Sequence, residues 1–225
     1  KFTLALLRRR LEEAKLLPYF KAEEITTERN AFTFGSIRAS FFPVTHSIMD
    51  AVGVVLETPA GRVIHMGDWR YDLDPVAGRA TDFSHLARWN TKTSPSLLMM
   101  ESLGSTKEGH QLSEKEVLGN LRAVMERAPG RVIIATFSSM IERVGHLVGI
   151  AEELGKKVAL DGFSMKLNIE MARKIGYIRF NPKTLIDVKE IRNYPPDKIV
   201  VIGTGAQGED RAVLMRIANR EHRFV

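Results

Sequence analysis

One histidine and one aspartate, 22 positions apart, stand where two apolar segments end. His46 follows an apolar run over residues 40–44, and Asp68 follows a second run over residues 62–66. An imidazole and a carboxylate suit zinc or a similar divalent ion, which could polarise a phosphoryl oxygen. A catalytic metal usually takes at least three protein ligands, so the pattern predicts only part of a metal site. The alternative for Asp68 is a hydrogen-bonded turn, which Gly-Asp after a strand commonly opens.

The composition is that of an ordinary globular protein with a basic balance. The chain has 225 residues, 44% hydrophobic and 27% charged, enough for one large domain or two small ones. Its net charge of +6 is compatible with an anionic partner such as RNA, although many basic proteins bind no polyanion. The sequence has no cysteine, which excludes disulfides and accommodates a cytoplasmic location. No apolar run is long enough to span a membrane, so we expect no membrane partner.

The two halves of the chain differ in their pattern of apolar residues. The first half has one amphipathic helix, at 3–16, and then strands at 31–45, 52–57, 62–66 and 96–100. After residue 104, strands alternate with helices. Strands are predicted at 131–136, 157–160 and 198–202, and helices at 113–128, 140–154, 165–175 and from about 209. Apolar strands alternating with helices indicate a parallel sheet flanked by helices, so we expect an α/β fold with a domain boundary near 104–110.

A glycine-rich turn in the second half offers a different chemistry. Gly203–Gly208 has the Gly-x-Gly-x-x-Gly spacing after a predicted strand and before a predicted helix, which is a dinucleotide-binding pattern. Its place on the last predicted strand weakens that interpretation. The backbone N–H groups of such a turn at a helix N-terminus would also favour an RNA phosphate. Ser138 and Ser139 precede another predicted helix, where they could donate hydroxyls to the same phosphate or cap the helix.

The motifs around His46 and Asp68 resemble those of a known family. Residues 42–53 and 65–72 look like the third and fourth motifs of the metallo-β-lactamase superfamily, in the version of its β-CASP nucleases and closest to bacterial ribonuclease J. The likeness continues through residues 135–139 and 204–209 and covers essentially the whole chain. The resemblance implies a partial αββα metallo-β-lactamase sandwich over residues 1–104. It implies most of a doubly wound, parallel-sheet β-CASP domain over residues 105–225.

The resemblance also implies roles for individual residues. His46 matches a metal-binding histidine, Asp68 the aspartate that bridges two zinc ions, and Glu101 an acidic residue beside the metal site. These three are the expected catalytic residues; the alternative for Glu101, which the neighbouring motif makes the weaker one, is a solvated acid at a strand end. The implied activity is zinc-dependent hydrolysis of RNA, internally or from the 5′ end, in RNA processing and decay, with the active site between the two domains. The implied partners are RNA and further copies of the chain. The expected RNA- or phosphate-binding residues are Ser138, Ser139, Gly205, Gln207, Gly208 and Glu209.

The sequence departs from the family pattern in three respects. The diagnostic His-x-His-x-Asp-His run is absent, and we expect it upstream of Lys1. The last metal histidine is expected downstream of Val225, and Glu142 stands where relatives usually carry a histidine. We therefore expect a piece of a longer protein that is inactive alone. Two other functions stay open, a dinucleotide-dependent oxidoreductase built on Gly203–Gly208 and a non-catalytic RNA-binding module.

Overall fold

The chain divides into two units, Lys1–Lys115 and Glu116–Val225. The computed structural model describes residues 1–22, 24–25, 31–87 and 96–225. The helices are α1 (Phe2–Glu13), α2 (Phe83–Ala87), α3 (Glu114–Arg127), α4 (Ile141–Glu153), α5 (Phe163–Lys174) and α6 (Val213–Ala218). The strands are β1 (Phe32–Phe34), β2 (Ile37–Pro43), β3 (Val52–Thr58), β4 (Gly61–His65), β5 (Ser96–Met99), β6 (Val132–Ala135), β7 (Lys157–Leu160), β8 (Leu185–Ile186) and β9 (Ile199–Gly203). The predicted α/β fold is confirmed.

The first unit contains one sheet in the order β1-β2-β3-β4-β5. Strands β1 to β4 pair antiparallel in succession, and β5 pairs parallel to β4. Pro43 at the end of β2 pairs with Val52 at the start of β3. His65 at the end of β4 pairs with Val54 on one side and Met99 on the other. The carboxyl ends of β2, β4 and β5 therefore meet at one edge of this sheet, which we call the first edge.

A small apolar core holds the strands of the first unit in register. Phe42, Val55, Ile64 and Met66 are buried, and Trp69 packs against them from the segment after β4. The core needs a glycine opposite the Phe42 ring, because a Cβ at Gly53 would lie 2.2 Å from the Cζ atom of Phe42.

The second unit is built on a parallel sheet in the order β6-β9-β7-β8. The central strand β9 is buried along its whole length, which explains its continuous apolar sequence. Helix α4 buries one face at helical spacing, with its buried residues at Ile141, Val144, Gly145, Leu147, Val148 and Ala151. No helix in the described ranges has the length and hydrophobicity that crossing a bilayer requires.

The last helix corrects a prediction. We expected a helix from about Glu209, but α6 begins at Val213 and is six residues long. Residues 206–212 form turns instead, and the Leu214 amide reaches back to the Thr204 carbonyl at 3.0 Å. This return needs two glycines, because a Cβ at Gly203 would lie 2.8 Å from Val213 and one at Gly205 would lie 2.8 Å from Leu214.

Candidate functional site

The three predicted catalytic residues of the first unit follow three strands that end at the first edge. His46 lies in the loop between β2 and β3, Asp68 lies after β4, and Glu101 lies after β5. The strand order puts only β3 between the strands that precede His46 and Asp68. Neighbouring strands are about 4.8 Å apart, so the two loops begin about 10 Å from each other. The topology therefore brings all three residues to one end of the sheet.

A backbone hydrogen bond ties the His46 loop to the Asp68 loop. The amide of Arg70 donates to the carbonyl of Thr45 at 2.6 Å. That carbonyl belongs to the peptide that joins Thr45 to His46, and Arg70 is two residues beyond Asp68. The amide of Thr45 in turn donates to the hydroxyl of Thr81 at 3.1 Å, a buried contact. The main chain beside His46 is therefore held against the main chain beside Asp68.

Asp68 and Glu101 follow two adjacent parallel strands. His65 at the end of β4 pairs with Met99 at the end of β5, and the amide of Met66 donates to the carbonyl of Met99 at 2.9 Å. Asp68 lies three residues after His65, whereas Glu101 lies two residues after Met99, so the two acids are one residue out of register. Both loops begin at the first edge, and a position of Glu101 beside the metal site stays a prediction.

The side chains of the two predicted ligands are accessible. His46 is half-buried, and its Nδ1 atom lies 3.4 Å from the hydroxyl of Ser47. Asp68 is exposed, and no hydrogen bond or ion pair involves its carboxylate among the residues that the structure describes. No group of three or more His, Asp or Glu side chains able to hold a metal occurs within those residues. The donors thus suit a divalent cation in kind, and they number two where a catalytic metal usually takes three.

A buried ionic network lies directly behind the Asp68 loop. The guanidinium of Arg70 donates to the carboxylate of Asp72 at 3.1 Å and to that of Glu114 at 2.9 Å. Both carboxylates are almost fully buried, with side-chain exposures of 1% and 6%. Asp72 also accepts the backbone amides of Asp74 and Glu114 at 3.0 Å each. The network stiffens the segment that carries Asp68.

Sequence reasoning missed this network, although Arg70 and Asp72 belong to a motif that it singled out. Glu114 is 44 residues from Arg70 and was considered only as part of a helix start. The available signal was the pair of opposite charges at Arg70 and Asp72, which alternates with the aromatic residues Trp69 and Tyr71.

Aromatic side chains flank the same loop. The rings of Trp69 and Phe83 lie 5.8 Å apart and those of Tyr71 and Phe83 lie 5.6 Å apart, measured between centroids. Trp69 and Tyr71 meet edge to face at 6.4 Å. The cluster packs the segment after Asp68 onto helix α2, so apolar contacts add to the ionic network in fixing this loop.

In the second unit, two predicted RNA-binding residues follow β6. Ser138 and Ser139 are half-buried in the turn before α4. Of the two alternatives for these serines, helix capping is not observed, because the N-cap residue of α4 is Met140. The turn is closed by the Met140 amide, which donates to the Phe137 carbonyl at 3.1 Å, and this delays the helix. Asn168 of α5 donates to the Ser138 carbonyl at 2.8 Å and holds the turn in place.

The other predicted RNA-binding residues follow β9 at the same carboxyl edge. Gly205 is buried, whereas Gln207, Gly208 and Glu209 are exposed. The carboxylate of Glu209 accepts the Gln207 amide at 3.2 Å. An anionic group thus already lies at this turn. Because α6 begins only at Val213, the turn does not open a helix, and the strand–turn–helix context of a dinucleotide fingerprint is missing.

A histidine–aspartate pair lies nearby in the second unit. Asp161 follows β7, and its Oδ2 atom lies 2.6 Å from Nε2 of His222. The Nδ1 atom of His222 accepts the backbone amides of Phe224 and Val225, at 3.3 and 3.1 Å. Accepting at Nδ1 assigns the ring proton to Nε2, which donates to Asp161. The side chain of His222 is only 4% exposed, so the pair anchors the segment 222–225.

Comparisons with known proteins identify relatives of both units. A family model described as "Ribonuclease J, beta-CASP domain" matches residues 129–225. The Ribonuclease J of Mycolicibacterium smegmatis is 36% identical over 225 residues, which are 100% of this chain and 40% of that protein. The Ribonuclease J of Helicobacter pylori 26695 is 34% identical over 99% of this chain and 32% of that protein. Ribonuclease J2 of Bacillus subtilis is 33% identical over 99% of this chain and 40% of that protein.

A solved structure shares the fold. The crystal structure of a protein of unknown function from Enterococcus faecalis V583 matches with a TM-score of 0.58 at 18% identity, over 92% of this chain and 52% of that chain. At this identity the likeness concerns the fold alone. The chain spans two fifths or less of the length of the three sequence relatives named above.

Proposed function

The chain belongs to the ribonuclease J family, and on this basis we propose that the protein carrying it is a zinc-dependent ribonuclease. It hydrolyses RNA phosphodiesters, internally or from the 5′ end, in RNA processing and decay in the cytoplasm. The observation that carries the proposal is the joining of the His46 and Asp68 loops at the first edge through Arg70 and Thr45. It puts an imidazole and a carboxylate that has no partner among the described residues on adjoining segments, in the family motifs where metal ligands are expected.

Each residue of the first edge has a proposed role. The His46 imidazole and the Asp68 carboxylate bind the metal, and zinc supplies Lewis-acid chemistry that stabilises charge on the scissile phosphate. The hydroxyl of Ser47, 3.4 Å from Nδ1 of His46, helps to orient the ring. Glu101, on the neighbouring strand end, sits beside these ligands. Further ligands are proposed to come from parts of the protein outside this chain, which covers 40% of the Mycolicibacterium smegmatis relative and 32% of the Helicobacter pylori relative.

The second unit is proposed to bind the RNA backbone. Ser138 and Ser139 offer hydroxyl donors at the carboxyl end of β6, and Gly205, Gln207 and Gly208 offer backbone amides beyond β9. The Gln207 amide donates to the carboxylate of Glu209. One of these backbone donors thus already binds a negative group, which supports an anion-binding role for the turn. A phosphate would take the place of that carboxylate. The protein is further proposed to self-associate.

The test is Asp68→Asn in the complete protein, with Asp74→Asn as the matched control. Both acids are exposed, but Asp74 pairs with Lys115 at the surface and has no proposed catalytic role. Cleavage of a labelled RNA with added zinc is measured under single-turnover conditions. We expect Asp68→Asn to lower the cleavage rate at least about 100-fold. Loss of a residue that only hydrogen-bonds to a metal ligand costs up to about 100-fold, and loss of the ligand itself should cost no less. Asp74→Asn keeps the wild-type rate.

Two results would count against the proposal. Wild-type turnover in Asp68→Asn would remove the metal role of Asp68. Binding of RNA by the wild-type protein without any metal-dependent cleavage would identify a non-catalytic RNA-binding module instead.

A further inference from the structure

A groove at the end of α5 combines positive charge with an aromatic ring. It has a volume of about 460 Å³ and is lined by Glu170, Arg173, Lys174, Ile178, Arg179 and Phe180. We call it the basic groove. Ile178 is buried and forms its floor, whereas Arg173, Lys174 and Arg179 are exposed. The groove therefore presents three cations above an apolar base.

The basic groove has more cations than acids. Glu170 is the one acid of the lining, and it pairs with Lys174 at 2.7 Å. Within the described residues no ion pair joins Arg173 or Arg179 to a carboxylate, although the charge of Arg173 also helps to lower the pKa of Glu170. Three cations and one anion leave the lining with a charge of +2.

The C-terminal end of α5 explains two of the three positive charges in the groove, and the third comes from a residue beyond the helix. Arg173 and Lys174 occupy the last turn of α5, where cations are favoured by the partial negative charge of the helix C-terminus. Arg179 lies five positions beyond that end, and its side chain turns back to the same groove. The guanidinium of Arg173 lies over the Phe180 ring, 4.9 Å from its centroid, which holds it in one place.

The basic groove lies away from the predicted phosphate contacts of the same unit. It is formed by the C-terminal end of α5 and the residues that lead to the start of β8. Ser138 and Gly205 follow the carboxyl ends of β6 and β9, and all strands of this sheet are parallel. The groove therefore faces the opposite edge of the sheet.

We propose that the basic groove binds the phosphate backbone of single-stranded RNA at a second contact, apart from the predicted contacts at the carboxyl edge. The ligand class rests on the proposed function. Guanidinium groups bind phosphate through paired N–H donors, so two arginines without an ion pair among the described residues, on one concave surface, are complementary to a polyanion. RNA is favoured over an acidic protein because the relatives are named as ribonucleases.

The test measures RNA binding by the complete protein as salt is raised, using fluorescence anisotropy and a metal-free buffer. The arginine variant combines Arg173→Gln with Arg179→Gln. The control is a lysine variant that combines Lys166→Gln with Lys189→Gln. All four side chains are exposed, and both double variants lose two charges in the second unit. Each phosphate contact on a single strand contributes about 0.7 to the slope of log affinity against log salt. We expect the arginine variant to lower the slope by about 1.4 and the affinity about tenfold at physiological salt, and the lysine variant to change neither.

A second test removes the negative charge of the groove instead of its positive charges. Lys174 donates a hydrogen bond to Glu170, and this bond and the charge of Lys174 hold the pKa of Glu170 below its usual value. Glu170→Gln removes that charge and releases Lys174. We expect tighter RNA binding and a steeper salt slope in this variant. Unchanged melting temperatures in all variants show that each remains folded.

The outcomes separate the groove from the proposed catalytic function. Equal losses in the arginine and lysine variants would overturn the groove, because net charge alone would then explain binding. Competition by an acidic peptide as strong as by unlabelled RNA would overturn RNA as its ligand. If the wild-type protein cleaves RNA and the arginine variant binds it normally, the groove proposal fails and the ribonuclease proposal stands. If the wild-type protein binds RNA through the groove and never cleaves it, the ribonuclease proposal fails and the groove proposal stands.

Discussion

The backbone amide of Arg70 donates to the carbonyl of Thr45 at 2.6 Å, and this bond joins two loops that the sequence separates. One loop carries His46 and the other carries Asp68. The side chain of Arg70 meanwhile holds two buried carboxylates, at Asp72 and Glu114. One residue thus joins the loops of the two predicted metal ligands through its main chain and binds two buried carboxylates through its side chain.

Replacing Arg70 should destabilise the first unit. Arg70→Met leaves the carboxylates of Asp72 and Glu114 buried without their cation, which costs about 3 kcal/mol of unfolding free energy. Arg38→Met is the control, because the pair of Arg38 with Glu57 is exposed and such pairs contribute about 1 kcal/mol or less. Urea unfolding of both variants provides the comparison. Equal losses of unfolding free energy in the two variants would show that the buried network contributes no more stability than an exposed ion pair.

Adding or removing metal should change stability through Asp68. Zinc that binds only the folded protein at a concentration 100 times its dissociation constant raises the unfolding free energy by about 2.7 kcal/mol. Chelation should abolish the gain in the complete protein, and Asp68→Asn should show a much smaller gain. Without zinc, Asp68→Asn should change stability by about 0.5 kcal/mol or less, because this side chain is exposed and without a partner among the described residues. An equal zinc effect in the variant and the wild type would contradict the assignment.

The glycine turn after β9 should be sensitive to an added methyl group at one position. Gly205→Ala combines a backbone φ of +118° with a Cβ placed 2.8 Å from the Cβ of Leu214, whereas Gly208→Ala has a positive φ but open space around it. Left-handed backbone alone costs about 1–2 kcal/mol for a residue with a Cβ. Gly205→Ala should therefore lower the melting temperature more than Gly208→Ala. Similar shifts in both would show that strain rather than packing governs this turn.

Removing His222 should release the segment that follows it. His222→Ala takes away the acceptor for the amides of Phe224 and Val225 and leaves Asp161 without its 2.6 Å partner. Loss of a buried partner of this kind costs about 1–3 kcal/mol. Hydrogen exchange of those two amides should accelerate, while His146→Ala, an exposed change on α4, should leave them protected. Unchanged protection in His222→Ala would rule out the anchoring role.

The sequence allowed local features to be predicted more fully than long-range ones. The strands that end before His46 and Asp68 were predictable, because apolar runs closed by polar and turn-forming residues mark their limits. The bond between Arg70 and Glu114 was not, since it joins residues 44 positions apart and depends on how the chain folds back.

The predicted start of the last helix, at about Glu209, was wrong for a related reason. The local sequence Gly208-Glu209-Asp210 favoured a helix start there. The structure instead uses Gly203 and Gly205 to bring Val213 and Leu214 against the end of β9, so packing decided where the helix begins. The basic groove was equally hidden, because Arg173 and Arg179 meet only through the turn that follows α5.

The shared metal of His46 and Asp68 is tested most directly by anomalous scattering at the zinc edge from crystals of the complete protein. We expect a zinc peak at the first edge, about 2.0–2.2 Å from both the His46 imidazole and the Asp68 carboxylate. A zinc peak bound by other residues, with His46 and Asp68 both turned away from it, would rule out a metal shared by these two side chains.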